Sequence, residues 1–461
     1  DRFGMKPLYI YKVDKTIFFS SEIKAFIPFT TRGNEWSLNY QYLNEFLIYR
    51  ELSGEKTFIK NVSKVLPGHS MNINASLIIK NNKYYDLSVK HGVSNNISLN
   101  DNIDFLEEIL IKNIKNHLIS DVPVGVTLSG GVDSTLILSL IRKSNPDLEI
   151  EAISIKFANS VDETINASKI AEKFEANHHI IDIDNYLSEL PKAISLIKQP
   201  FWDLHWYYVV KKSQSLSKLL ASGDGGDEVF GGYTFRYEKF LSLTTSDSTP
   251  LEKVKAYLSC HERDRVPDQE YLFGPKSNFT WNSIYHSLLP YFDNSLSRLE
   301  QVFVADYNGK LLYNFNPINA KITKSFGVTV IAPLLNQNVI NYGIKIPTIF
   351  KYDESTNVGK IPLRQLLVKN QADSLISKEK LGFNVNTINL WKSHGQKLCK
   401  EFLSNSRVVK NGWINSTWIE KYLDKTDLDV KYVNKFLGIL AFEIWYRLFI
   451  TKEISSDDKL D

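Results

Sequence analysis

Two stretches of this sequence combine small side chains, glycines and carboxylates at spacings that suit phosphate chemistry. In VGVTLSGGVDSTLILSLIRK (Val124–Lys143) an apolar run stops in a Ser-Gly-Gly loop, and a helical pattern begins at once. The second stretch, SGDGGDEVFGGY (Ser222–Tyr233), is richer still in glycine. Glycines let a backbone approach a phosphate closely, and a helix starting behind the loop offers unpaired N–H groups and a positive dipole end. The first loop lacks lysine, so it is not the G-x-x-x-x-G-K-[ST] phosphate loop. Asp133 cannot face a phosphate directly, because like charges repel. A Mg²⁺ ion between them reconciles the two, with Asp227 of the second loop as the matching carboxylate. The plainer reading is a pair of tight turns, but two such loops at strand ends rarely coincide.

Loops of this kind act only if a scaffold brings them together. Val124–Leu128 reads as a strand followed by a helix from Ser134. Glu151–Phe157 reads as the next strand, and HHIIDI (His178–Ile183) as a third. Ser160 and Glu163, spaced S-x-x-E, predict a capping box opening the helix between the second and third strands. LSKLLASGDGGDE (Leu216–Glu228) ends a helical stretch in a fourth strand. This alternation predicts an α/β fold with a doubly wound parallel sheet. In such sheets ligands bind beyond the carboxyl ends of the strands, where both loops fall. Beyond residue 234 the pattern is mostly helical. Residues 1–88 instead read as short strands, and His91–Asn102 is polar and Asn-rich, a linker by composition. A helical pattern resumes over Ile103–Ile119. Phe201–Val210 (FWDLHWYYVV) predicts a core helix beside the site, and His178 and His179 have no metal-ligand spacing.

Composition narrows the possibilities further. The 461 residues, by a prior of about 150 per domain, make roughly three domains' worth of chain. There are 55 basic and 52 acidic residues, a net charge of +3. That balance gives no sign of a nucleic-acid or membrane partner. Cys260 and Cys399 stand far apart without a C-x-x-C, which argues against a disulfide framework, a zinc site or an iron–sulfur site. It fits a reducing cytoplasm. The apolar stretch Phe436–Ile450 is too short to span a membrane, and its Glu443 and Arg447 stand four apart like a helix-surface ion pair, so it reads as a helix with a buried face. The first residue is Asp1 rather than Met, which reads as a fragment or a processed product.

With these residues in view, a family resemblance emerges. SGGVDS (Ser129–Ser134) resembles the pyrophosphate loop of the N-type ATP pyrophosphatases. Together with SGDGGDEVFGGY it is similar to the glutamine-hydrolysing asparagine synthetase family. DRFGMKPLYI and FFSSEIKAF resemble the last strands of that family's amidotransferase domain. GKIPLRQLL (Gly359–Leu367), KEKLGFNV (Lys378–Val385) and ILAFEIWYR (Ile439–Arg447) also match. The resemblance implies an adenine nucleotide α-hydrolase-like sheet with a helical C-terminal part (103–461). Before it would come the β-rich remnant of an Ntn-type, class II glutamine amidotransferase domain (1–90) and a linker (91–102).

The implied activity is ATP-dependent amide formation. A carboxylate, aspartate or a related acid, would attack the α-phosphorus of ATP and release pyrophosphate. Ammonia or glutamine-derived nitrogen would then convert the acyl-adenylate to an amide and AMP. Ser129, Gly130, Gly131, Asp133 and Ser134 would hold the pyrophosphate, with Mg²⁺ on Asp133 and Asp227. Leu128 and Ile155 would border the adenine, and Gly223 the ribose–phosphate side. Lys380 matches the family's active-site lysine and would stabilise transition-state charge. Asp203 falls at a site-facing acidic position. A homodimer is a possible assembly.

Two departures qualify the resemblance. The family's glutaminase uses an N-terminal cysteine, and neither Cys260 nor Cys399 is placed to replace it. Thr329, Ile331 and Asn336 stand where the family usually has Glu, Arg and Asp. They leave open a different acceptor, such as a sugar- or peptide-borne carboxylate, or a catalytically silent partner. A tRNA-modifying relative would want a basic patch and often paired cysteines, and neither is present.

Overall fold

The computed structural model describes residues 1–29, 38–39, 41–50, 52–86, 99–118, 122–158, 160–261, 263–376 and 385–461. The chain opens with three antiparallel strands in the order β2-β1-β3: β1 (Tyr9–Val13), β2 (Thr16–Ser20) and β3 (Val62–Lys64). A separate hairpin follows, β4 (His69–Ile73) paired with β5 (Ile79–Lys83). The strand-only expectation for residues 1–88 misses helix α1 (Gln41–Tyr49). Its Leu43, Phe46 and Leu47 recur at the i, i+3, i+4 spacing of a buried helical face, and all three are buried. That face joins the unit to the rest of the chain: Phe58, packed on Phe46, meets the Trp445 ring at 5.5 Å.

Helix α2 (Leu99–His117) begins inside the stretch read as linker, while residues 91–98 lie outside the described residues. Then comes the expected alternation: β6 (Val124–Thr127), α3 (Val132–Ser144), β7 (Ile150–Phe157), α4 (Thr164–Lys173) and β8 (Asn177–Ile183). α5 (Leu190–Ile197) and α6 (His205–Ser213) lead to β9 (Leu219–Ala221), and β10 (Thr329–Ile331) completes the sheet. Its order is β10-β9-β6-β7-β8, with every pairing parallel. β6 is buried along its whole length, as a strand covered on both faces must be. Val124, Val126 and Ala152 belong to one hydrophobic core, and Ile153 and Ile155 to the core on the other face.

From β6 the chain winds outward through β7 to β8, then crosses back and winds the other way through β9 to β10. The reversal falls between β6 and β9, so the crevice at their carboxyl ends is the topological switch point of the sheet. Among the described residues, no helix is long and apolar enough to cross a membrane.

Three local expectations are corrected. The Ser160–Glu163 capping box does not form. Asp162 Oδ1 accepts from the Thr164 N–H at 3.0 Å instead, and Ser160 Oγ accepts from the Asn386 N–H. α6 starts at His205 rather than Phe201, since the Asp203 carboxylate is paired with His205 just ahead of the helix. Glu443 is not a surface partner of Arg447 but fully buried in the helix Val430–Tyr446. It accepts from Ser406 Oγ, from the N–H groups of Arg407 and Val408, and from Arg447 Nε. One carboxylate thus caps the turn Arg407–Lys410 and neutralises Arg447. Breaking such a buried pair costs about 3–5 kcal/mol, so Glu443→Ala is expected to lower the thermal midpoint sharply. An unchanged midpoint would show that the carboxylate contributes little.

Lys351 is buried beside the Phe303 ring, and burial pushes its pKa down to about 7, against a smaller opposing pull from Glu300. An unfolded lysine keeps its proton to about pH 10.4. Between these values the unfolded chain binds more protons, so stability rises with pH there. Lys351→Met is therefore expected to stabilise the fold below pH 7 by on the order of 4 kcal/mol, with most of the gain lost by pH 10. Chemical denaturation at both pH values measures this.

Candidate active site

The first loop leaves β6 at Leu128, whose N–H donates to Ile153 O on the neighbouring strand. Gly130 has φ +71°, a conformation that glycine adopts without strain. The chain then turns into α3, with Asp133 in its first turn. Ser134 Oγ accepts from the Ser129 N–H at 3.2 Å and lies 3.1 Å from Ser129 Oγ, so the two hydroxyls close the loop on itself. Ser154 Oγ donates to Leu128 O and lies 2.8 Å from His178 Nε2. His178 lies in β8 and braces this contact, and burial, then His179, lowers its pKa. It is a structural histidine.

The second loop interlocks with the first at the crevice between β6 and β9. A Cβ on Gly223 would lie 2.6 Å from Asp133 Cβ, and one on Gly226 would lie 2.3 Å from Asp133 Oδ1. A Cβ on Gly232 would sit 1.9 Å from Asp227 Oδ1 and 2.3 Å from Lys360 Cε. These glycines are the space in which the two carboxylates face each other. The sequence anticipates that Asp133 and Asp227 converge, and they do so through a residue it did not single out. Lys360 Nζ is hydrogen-bonded to Asp133 Oδ2 and lies 2.9 Å from Asp227 Oδ1.

Lys360 is buried and sits in the left-handed region (φ +57°) at the start of the helix Ile361–Lys369. Burial works against its charge, but Asp133 and Asp227 outweigh it and hold the ammonium well above its ordinary range. Nothing in GKIPLRQLL marks this lysine from a surface one, because its partners lie more than a hundred residues upstream.

The donor set suits magnesium. Among the described residues no group of three or more His, Cys, Asp or Glu side chains could hold a metal unaided. Two carboxylates in a glycine-lined cradle are the usual protein share for Mg²⁺, which keeps waters and takes phosphate oxygens for the rest.

Behind the second loop lies a further network. Asp224 Oδ2 accepts from Ser222 Oγ and from Asn319 Nδ2, both at 3.1 Å. Burial raises the Asp224 pKa, and the nearby His205 partly offsets this. His205 Nδ1 lies 2.9 Å from Asp203 Oδ1, which also accepts from the Tyr186 hydroxyl. Burial opposes charge on both partners. Even so, His205 and Arg50 hold the Asp203 carboxyl well below its usual range, and Asp203 raises the His205 pKa. Asp203 thus supports an ion pair one layer behind the loop.

The remaining expected site residues separate. Leu128 and Ile155 are both buried near the loop ends of adjacent strands, but their side chains belong to opposite cores. Ile331 is buried, and its carbonyl accepts from the Ser222 N–H at 2.9 Å, fixing the second loop. Thr329, at the start of the same strand, is exposed. Asn336 caps the helix Gln337–Gly343. Lys380 lies outside the described residues.

The sequence is similar to those of known proteins. The asparagine synthase family model matches residues 106–447, and a glutamine amidotransferase domain model matches residues 1–85. Asparagine synthetase [glutamine-hydrolyzing] 1 of Bacillus subtilis (strain 168) is 24% identical over 498 residues, spanning 99% of this chain and 76% of its own length. A putative asparagine synthetase [glutamine-hydrolyzing] 2 of Methanocaldococcus jannaschii is 27% identical over half of this chain and 46% of its own. The solved NH3-dependent NAD synthetase from Campylobacter jejuni aligns with 44% of this chain and 99% of its own, at 13% identity and a TM-score of 0.24. With the family match running through both loops and over most of its length, the chain belongs to the asparagine synthase family of carbon–nitrogen ligases.

Proposed function

We propose that the chain adenylates a carboxylate other than free aspartate and passes it to ammonia. The observation that carries this reading is the pair of interlocked loops with Asp133 and Asp227 facing across Lys360. A carboxylate oxygen bonds to the α-phosphorus of ATP, and the bond to the bridging oxygen breaks, releasing pyrophosphate. Backbone N–H groups around Ser129–Gly131, the Ser134 hydroxyl and the α3 N-terminus receive that anion. The Lys360 ammonium, at the start of the helix Ile361–Lys369, faces the same charge. Bound Mg²⁺ on Asp133 and Asp227 would supply Lewis-acid neutralisation of the phosphates. Ammonia then attacks the acyl carbon, loses a proton, and AMP leaves. Lys380 is the proposed stabiliser of negative charge in the adenylation or the amidation transition state.

The acceptor assignment rests on Ile331. An arginine holds a carboxylate bidentately, and a buried isoleucine under Ser222 offers no such contact. The Glu and the Arg are lost together, to Thr329 and Ile331, which leaves no orphan charge, as a coordinated replacement would.

ATP–pyrophosphate exchange across a panel of carboxylic acids tests the reading. Exchange with at least one acid, AMP and pyrophosphate as products, and weak exchange with aspartate are expected. Release of ADP and phosphate would remove the adenylation step, and strong exchange with aspartate would remove the acceptor assignment. In the same assay ammonium salts should support amidation and glutamine should not. Burial pushes the Cys260 thiol up to about 11 and raises that of Cys399 too, so neither is a ready nucleophile. Glutamine hydrolysis by the 461-residue chain would overturn that assignment.

A further inference from the structure

On the far side of the segment Pro333–Leu335 from the nucleotide loops lies an open groove of about 400 Å³, between α2 and the helix Gln337–Gly343. That volume falls in the range of small-molecule sites, roughly 300–1,000 Å³. Its lining is unusual in kind. Five asparagines contribute: Asn113, Asn116, Asn336, Asn338 and Asn341. Some of their capacity is spent in building the wall. Asn113 Nδ2 donates to Pro333 O, Asn336 Nδ2 donates to Asn113 Oδ1, and Asn341 Oδ1 accepts from the Tyr85 hydroxyl. The Asn116 and Asn338 amides, both on exposed residues, keep donors and an acceptor available to the groove.

One end carries an aromatic platform, Phe105 against Tyr342 with centroids 4.8 Å apart, and Phe105 is 47% exposed. Around it stand two ammonium groups, Lys112 and Lys345, and one carboxylate, Glu108.

This chemistry discriminates among ligand classes. A nucleic acid would demand a denser basic surface, and a metal ion a cluster of carboxylates. An acyl chain would avoid the amides, because each would lose its water without replacement. A primary amide presents an acceptor and donors in one plane, the pattern that adjacent sugar hydroxyls satisfy. An exposed ring covers the C–H face of a pyranose. The surplus ammonium favours a sugar that carries a carboxylate.

Leu335 packs beneath Gly225 of the second loop, whose Cβ position lies 2.3 Å from Leu335 Cδ2, and the next residue, Asn336, lines the groove, so the buried segment Pro333–Leu335 stands as a wall between the groove and the nucleotide loops.

We propose that this groove binds an acidic oligosaccharide, a chain of hexuronic acid units, and that this binding stands apart from the adenylation reading.

The test uses the 461-residue chain and tetragalacturonate as the probe, by isothermal titration calorimetry. Binding is expected, weaker for the neutral maltotetraose, and weakened about tenfold or more in the Asn116→Ala/Asn338→Ala double variant, two amide hydrogen bonds being lost. Lys345→Ala should bring the acidic and neutral probes closer together. Both substitutions lie on exposed side chains, and an unchanged thermal midpoint checks that the fold is intact. No binding at millimolar tetragalacturonate, or equal affinity in the double variant, overturns the groove assignment. Binding that depends on these residues keeps the groove assignment whichever acid the exchange reaction accepts. Saccharide binding without exchange on any acid keeps the groove and overturns the adenylation reading.

Discussion

Asp227→Ala and Asp133→Ala are each expected to lower ATP–pyrophosphate exchange about 10³-fold, since losing a metal carboxylate removes several kcal/mol of charge stabilisation. The structure adds a second cost. Lys360 is buried between the two carboxylates, so removing either leaves its ammonium with half its compensation. The Lys360→Met variant should be similarly inactive by the opposite route, because the two carboxylates then repel across the crevice. The three groups act as a unit, so combining Lys360→Met with Asp227→Ala should cost little more than either change alone. Additive losses in exchange rate would show that lysine and carboxylate act independently. Exchange within tenfold of the parent in either Asp variant would remove the metal assignment.

The second large effect comes from glycines whose hydrogen atoms face the site. Gly232→Ala drives a methyl group against Asp227 Oδ1 and Lys360 Cε, and Gly226→Ala drives one against Asp133 Oδ1. The displaced atoms are the charged ends that meet the nucleotide. Misplacement by about 1 Å can cost about 10²-fold, so each variant should lose at least that in exchange rate. Gly438→Ala, with open space around its Cβ position, is the matched control and should keep full activity. Thermal unfolding separates the two explanations: a large activity loss with a midpoint close to the parent's supports a local displacement, and a collapsed midpoint refutes it.

The parallel sheet could be read from residues 124–228 because each strand there is a short run, two of them closed by glycines, and each intervening helix has its own period. The two loops were legible for the same reason: their chemistry is local. The helix Gln41–Tyr49 was not, because its apolar positions also fit a strand-rich neighbourhood and only packing decides between them. Asp162, two residues from the expected Ser160, took the capping role because its carboxylate reaches the Thr164 N–H while Ser160 is engaged by Asn386. The Glu443–Arg447 spacing was read correctly, but burial is a property of the surrounding helices and leaves no trace in an i, i+4 pair. Lys360 and the Asp203–His205 pair were missed or half seen because their meaning lies in partners far along the chain. The loops could be found from one sequence; the counter-charges that make them a site could not.

The Asp133–Lys360 contact spans 227 positions, and this sets an order on how the protein comes into being. During synthesis the first loop and its strand emerge early, and β7 can pair with β6, and β8 with β7, almost at once. Its other neighbour, β9, arrives nearly a hundred residues later, and the lysine later still. Chains fold largely from the N-terminal end at about 5–20 residues per second, so the crevice waits on the order of ten seconds or more for its last charge. Once Asp227 has emerged, and until Lys360 follows, the nascent sheet carries an unneutralised pair of carboxylates, which discourages premature closure of the two loops. The long-range ion pair is therefore also a completion signal, formed only when the helical C-terminal half has begun to dock.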